Sequence, residues 1–388
     1  MLHTSIGYHT ISIFQRFDND EIDLIMKDFK SYSETTGNIM IYPSDKNKTC
    51  YKIKYKYKRK GIYWLIRFCH GYKIDFCEYI VEAKINPKLL AGEVDYITAA
   101  DESILPIVEM RFNEEAQRIS KHLGTLYDYR LNRIDYCVNF DLLEMGITAT
   151  PSQIMKLIER GNIPPHYSEY KLYDTIGHRM KSLDDQFYLK SRSVVINIYG
   201  KYAHLQNNYP DNPSLETSKN IVRFEIQCKY LKLYALSAES NHSRVNNRVI
   251  MRHLLSNAIA RSVIINYFDR VIMRGNYYTL KEATERVLSR RFRESKEKRM
   301  IDTLNLINQQ RGICNAKDYL HNIGGDLHGF NQALHELVAE NINPVTIPKR
   351  FGIKRIPGLL DAFFQLEWRG ESFVESFQTL FKMSKKKQ

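Results

Sequence analysis

Three segments of this chain alternate apolar and reactive side chains with a period of two, the spacing that makes a β-strand bury one face and present the other. In LNRIDYCVNF, Arg133 and Asp135 share one face while Ile134, Tyr136 and Val138 share the other. In NIVRFEIQCK, Arg223, Glu225 and Gln227 oppose Val222, Phe224 and Ile226. In SVVINIYGKYAHL (193–205), Tyr199 and Lys201 stand two apart on the polar side of a β-branched run. A tyrosine, two carboxylates and several cations are the parts needed to break a phosphodiester through a covalent protein intermediate: a nucleophile, metal ligands and charges for phosphate oxygens. The structural alternatives are packed tyrosines, of which the chain has 26 in all, and surface ion pairs, which contribute little.

Around these segments the pattern predicts an α+β fold. Residues 4–14 read as a strand, and Asp18 or Asn19 caps a helix running to about Lys30. Residues 50–70 read as a hairpin turning near Lys60 and Gly61, and a strand over 77–85 stops at Asn86 and Pro87. A helix over 102–123 stops at Gly124, and another begins at Thr150 with Pro151 in its first turn and Gly161 at its end. From about residue 241 the strand pattern gives way to helical spacing. The expected layout is a domain over 1–240 with a central, largely antiparallel sheet carrying helices on one side, then an all-helical domain over 241–388. Two short helices near 315–322 and 328–341 have the spacing of a helix-turn-helix that reads duplex DNA; bracing of the sheet is the alternative for this domain.

A net charge of +13, from 57 Lys plus Arg against 44 Asp plus Glu, favours a polyanion as partner, either nucleic acid or an acidic membrane surface. Basic residues interleaved with aromatic rings suit single-stranded DNA, although an AT-rich genome also enriches Lys, Asn, Ile and Tyr. The densest such stretch places Lys52, Lys54, Lys56 and Lys58 on one face of the hairpin. There they either meet phosphates or protect an edge strand from aggregation. The six cysteines form no C-x-x-C pair and no zinc spacing, so reduced thiols are expected. With no run approaching the roughly 20 apolar residues of a membrane span, the expected location is the cytoplasm, away from membranes.

The segments IVRFEIQCKYLKLYAL (221–236), LNRIDYCVNFD (131–141), INIYGKYAHL (196–205) and YIVEAKINPKLLAG (79–92) together resemble filamentous-phage gene II type replication initiators. More distantly they resemble the Rep_trans class of plasmid rolling-circle initiators and integrative-element relaxases. The resemblance covers roughly 45–240, with an echo in HELVAENINPVTIP (335–348). It implies a site-specific nickase and ligase that joins a tyrosine to the 5′ phosphate of DNA at an origin. Tyr199 is then the nucleophile, and Asp135 and Glu225 are carboxylates for Mg²⁺ or Mn²⁺, with Glu82 as a candidate third. Single-stranded and origin duplex DNA, a host helicase and polymerase, and a second copy of the chain are the implied partners. Many plasmid members carry a second acid four residues after the first; this chain has Asn139 there.

In this reading Lys201 lowers the phenol pKa or neutralises phosphate, while Arg133 and Arg223 do the latter. His178 and His204 are further candidates for metal or proton transfer. Tyr202 is expected on the opposite side of a continuing strand, which leaves a single nucleophile. A relaxase, a nuclease using activated water, and a DNA-binding replication or partition protein without catalysis remain alternatives.

Overall fold

The computed structural model describes residues 5–43, 50–56, 60–70, 77–93, 97–169, 186–208, 212–238 and 246–368. Ten strands form one sheet: β1 (Ser5–Phe17), β2 (Ile39–Pro43), β3 (Cys50–Tyr55), β4 (Ile62–His70), β5 (Cys77–Ile85), β6 (Arg130–Asp141), β7 (Ser168–Glu169), β8 (Gln186–Lys190), β9 (Val194–Gly200) and β10 (Ile221–Lys229). Their order is β2-β3-β4-β5-β1-β6-β10-β9-β8-β7, and every neighbouring pair is antiparallel. The α+β class with an antiparallel sheet and a helical C-terminal region is therefore observed.

Helices cover the apolar face. α1 (Asn19–Thr36) and α2 (Pro87–Leu90) flank the first half of the sheet, followed by α3 (Leu105–Ile119), α4 (Pro151–Ile158) and α6 (Tyr230–Ala238), whereas α5 (Lys201–Asn208) turns toward the other face. Trp64 of β4 is fully buried against Phe29 of α1 and Phe112 of α3, with ring centroids 6.0 and 5.5 Å away. Such edge and tilted ring packing contributes beyond the area it removes from water.

The later elements are α7 (Asn247–Leu254), α8 (Asn257–Val271), α9 (Leu280–Ser289), α10 (Glu294–Gln310), α11 (Ile313–Asn322), α12 (Leu327–Ala339) and α13 (Leu359–Trp368), with a two-stranded ribbon of β11 (Tyr277–Tyr278) and β12 (Arg355–Ile356). α8 lies on the sheet itself: Phe268 meets Phe140 of β6 and Phe224 of β10 at 5.9 and 5.8 Å. The same hydrophobic core runs from the strands through α8 to Phe363 in α13. Truncating a ring at such a junction costs about 3–5 kcal/mol. Among the described residues no helix is long and apolar enough to cross a membrane.

Local boundaries differ from the sequence expectation in instructive ways. α1 has its capping box at Asp18 and Glu21 and extends past Lys30 to Thr36, where Gly37 closes it in the left-handed region. The helix expected over 102–123 is broken: α3 ends at Ile119, Ser120 is extended, and a separate short turn covers Lys121–Leu123 before Gly124. The hairpin of β3 and β4 forms as expected. α11 and α12 match the two short helices to within two residues at each end.

Candidate functional site

In an antiparallel sheet, residues directly opposite one another share a face, so the register assembles the site. One row across the polar face reads Asn139 on β6, Arg223 on β10, Tyr199 on β9 and Gln186 on β8. The next reads Cys137, Glu225 and Asn197. A third reads Thr10 on β1, Asp135 and Gln227. A fourth crosses five strands as Tyr63, Lys84, Ser12, Arg133 and Lys229. Arg133, Asp135, Tyr199, Arg223 and Glu225 thus converge on one side of three adjacent central strands.

The contacts among them are specific. The Tyr199 hydroxyl donates to Glu225 Oε2 at 3.3 Å, and Gln227 Nε2 donates to Glu225 Oε1 at 3.0 Å. Arg133 Nη2 donates to Asp135 Oδ2 at 2.7 Å. Tyr199 is only 4% exposed, while Arg223 is fully buried and Arg133 forms the solvent-side rim with 28% of its side chain exposed. Burial pushes the Tyr199 phenol well above its ordinary range, the Glu225 charge adds to the rise, and the Arg223 guanidinium opposes it. Arg223 is thus a cation that acts on this phenol. Burial also raises the Asp135 carboxyl to about 7 against the pull of Arg133, with Glu225 adding to the increase.

Lys201 departs from the strand reading. β9 ends at Gly200 and Lys201 opens α5, where it is buried and acts electrostatically on His9, Cys137 and His204. The same change of geometry brings His204 to Tyr199, ring centroids 4.9 Å apart. Burial, followed by the charges of Lys201 and Arg223, holds the His204 imidazole down at about 4. Tyr202 sits on the helix with Lys219 Nζ 5.6 Å from its ring centre. The expected continuation of the strand is thereby corrected: pairing with β10 stops at Gly200, opposite Val222, and the chain turns into α5.

Asn139 stands in a hydrogen-bonded clamp. Its Oδ1 accepts from Arg223 Nε at 2.8 Å, and its Nδ2 donates to the Ile97 carbonyl, which also receives Arg223 Nη2. A carboxylate there has no proton for that carbonyl. The backbone reaches this spot because Ala100 bridges to Tyr8 beside Gly7, where a Cβ would lie 2.0 Å from the Ala100 oxygen.

His9 belongs to the site without having been signalled by strand alternation. A register shift between Tyr8 and Thr10 makes it an extra residue on β1, as bulges beside reactive sites commonly do to re-aim a side chain. Burial, then Arg223, Lys201, His204 and Arg133 in turn, keep its imidazole well below the ordinary value.

Glu82 lies elsewhere. It is on β5, two strands from Asp135 and level with Phe14, whereas Asp135 is level with Thr10. Ser12 donates to its Oε1 at 2.6 Å and Arg67 pairs with its Oε2. The geometry does not bring it to the other two acids. Lys52 and Lys54 point outward from β3 and Lys56 is exposed in the bend beyond it, while Lys58 and His178 lie outside the described residues.

Among the described residues no group of three or more His, Cys, Asp or Glu side chains is gathered to enclose a metal. Asp135 Oδ1, however, is buried with no hydrogen-bond partner, and the Asp135 and Glu225 charges act on each other. A two-carboxylate pair with one unsatisfied oxygen suits Mg²⁺ or Mn²⁺, which commonly keep water and phosphate oxygens in the rest of their shell.

No protein-family model matches the chain, and no curated protein matches it. Among solved structures the chain is similar to the rolling circle replication initiator protein from Geobacillus stearothermophilus, with 8% identity over 69% of this chain and 85% of that one and a TM-score of 0.31. So loose a superposition assigns no role to any residue.

Proposed function

We propose that the chain is a DNA nicking and joining enzyme of the rolling-circle initiator type, with Tyr199 as nucleophile. The observation that carries this reading is the convergence of Tyr199, Glu225, Asp135, Arg223 and Arg133 on one face of β9, β10 and β6, with the phenol hydrogen-bonded to a carboxylate. A buried phenol needs help to ionise. Glu225 orients the hydroxyl and takes its proton as the phenol oxygen attacks phosphorus; the 3′ oxygen departs and takes a proton from water. The 5′ phosphate stays on the tyrosine, and reversal joins it to another 3′ end without a nucleotide cofactor.

Asp135 and Glu225 are the residues that would hold a divalent ion, whose chemistry is to stabilise the extra negative charge on the phosphate oxygens. Arg133, at the rim, meets the incoming backbone. Arg223 tempers the phenol from below while clamping Asn139 and Ile97. With Tyr199 almost fully covered and His204 stacked on it, a phosphodiester reaches it after His204 shifts. Lys84, Lys229, Lys52 and Lys54 extend a basic path for single-stranded DNA across the polar face.

The test is an oligonucleotide incubated with protein and Mn²⁺, followed by denaturing electrophoresis. A covalent adduct absent from Tyr199→Phe, with DNA affinity retained, supports the nucleophile. Cleavage without any adduct would instead indicate a nuclease that activates water.

A further inference from the structure

α9 and α10 meet in a corner of four residues, Arg290-Arg291-Phe292-Arg293. Residues 290–299 carry Arg290, Arg291, Arg293, Lys296, Lys298 and Arg299 against Glu294 and Glu297. Two of these cations fasten the corner to α12: Arg290 pairs with Glu340 at 3.3 Å, and Arg299 grips Glu336 through Nη2 at 2.6 Å and Nε at 3.3 Å. Arg286, one turn earlier, lies 4.2 Å above the Tyr278 ring. Arg291, in the left-handed region at φ 54°, and Arg293 and Lys298 are exposed and make no ion pair or side-chain hydrogen bond among the described residues.

We infer that this corner is a docking surface for the phosphate backbone of double-stranded DNA. Three outward cations on a braced helix corner pay little ordering entropy when they meet phosphates, and such contacts give affinity without sequence reading. Single-stranded DNA fits less well, because its binding platforms need exposed rings for base stacking. The ring available here, Phe292, is half-buried beneath Lys296 Nζ at 3.9 Å. The α11–α12 pair expected from sequence to read duplex DNA lacks this charge: residues 313–339 carry Lys317 as their single Lys or Arg, against Asp318, Asp326 and Glu336. Duplex held at the α9–α10 corner is a contact separate from the polar sheet face, and it stands whether or not Tyr199 is a nucleophile.

The experiment compares the full chain with its Arg291→Gln, Arg293→Gln, Lys298→Gln variant, measuring affinity for a short fluorescent duplex and for a single strand across a salt series. The expected result is a duplex salt slope lower by about 3 in magnitude, at roughly 0.9 per phosphate contact, with the single-strand slope unchanged. An unchanged duplex slope overturns the assignment, and so does an equal fall on both ligands. Binding of the wild type to phosphatidylserine vesicles, lost in the same variant while the duplex slope holds, would assign the corner to an acidic membrane surface instead. If the triple variant melts below the wild type, Arg291→Gln and Arg293→Gln singly should each lower the duplex slope by about 0.9. Adduct formation on single strands reports Tyr199 independently.

Discussion

Tyr199 on β9 hydrogen-bonds Glu225 on β10 at 3.3 Å, two residues out of direct register, because Arg223 and not Glu225 stands opposite the tyrosine. The diagonal places the phenol between a negative and a positive neighbour, and the sign of each effect is measurable. Glu225→Gln keeps the hydrogen-bond acceptor but removes the charge that raises the phenol pKa. The titration of a fluorotyrosine at position 199, followed by fluorine NMR, should move to lower pH. Adduct formation should nevertheless fall by at least about 100-fold, the usual worth of a positioned proton acceptor. An unchanged rate would make the carboxylate structural.

Asp135 gives the opposite balance between stability and activity. Its carboxyl titrates at about 7 in the folded chain against an ordinary 3.8. Its contribution to stability is therefore complete below pH 3.8 and is lost as pH rises through 7. Asp135→Asn should raise the stability of metal-free protein at pH 8 by on the order of 2 kcal/mol, while abolishing stabilisation by Mn²⁺ and the covalent adduct. Thermal melts with and without Mn²⁺ check both halves. A variant less stable than wild type without metal would contradict the assignment.

Acid should act through the two imidazoles. His204 is depressed to about 4 and His9 lies well below 6.5, so each contributes stability that is present above pH 6.5 and lost as pH falls toward 4. His204→Gln should shift the acid-unfolding midpoint to lower pH, seen by circular dichroism, with little change at pH 8. A midpoint that stays in place would mean that the imidazole is already charged in the folded chain.

Asn139→Asp introduces an acid beside Arg223 and should still do harm. The new oxygen faces the Ile97 carbonyl without a proton to offer, leaving Arg223 as that carbonyl's remaining donor among the bonds described. A loss of about 1–3 kcal/mol is expected from denaturant unfolding. Stability at or above wild type would show that the added Arg223 pair outweighs the clamp.

Tyr202→Phe should leave nicking and strand joining close to wild type, since the ring packs under Lys219 and His204 occupies the position against Tyr199. Loss of the second transfer with first cleavage intact would make Tyr202 a second nucleophile. Sequential assays with a labelled acceptor strand separate the two steps.

Much of this site is legible from alternation alone. β6 and β10 bury one face so completely that Arg133, Asp135, Arg223 and Glu225 have only one side to occupy, and β9 brings Tyr199 to it. Alternation fails where the backbone leaves the regular pleat. His9 enters through an inserted residue that leaves no mark in the apolar pattern, and Lys201 changes element across a single glycine. The roles of Asn139 and Arg223 depend on the Ile97 carbonyl, delivered by contacts between Gly7 and Ala100 more than ninety residues apart. Glu82 reads from sequence as a strand acid and candidate third metal ligand, but which strands separate it from Asp135 is a matter of sheet order, and sheet order is set by long-range pairing.

That order divides the sheet into two blocks, each continuous along the chain: β1–β5 from residues 5–85 and β6–β10 from residues 130–229. They are stitched together where β1 lies beside β6, Tyr8 opposite Tyr136. Closing so long a loop is slow compared with forming the hairpins inside either block. The second block carries Tyr199, Asp135 and Glu225, but His9, Thr10 and the Ile97 clamp arrive only when that seam zips. A newly synthesised chain therefore holds the surroundings of Tyr199 incomplete until both halves of the sheet have been made and joined, and a fragment ending before residue 130 or beginning after residue 17 lacks part of the cluster described above.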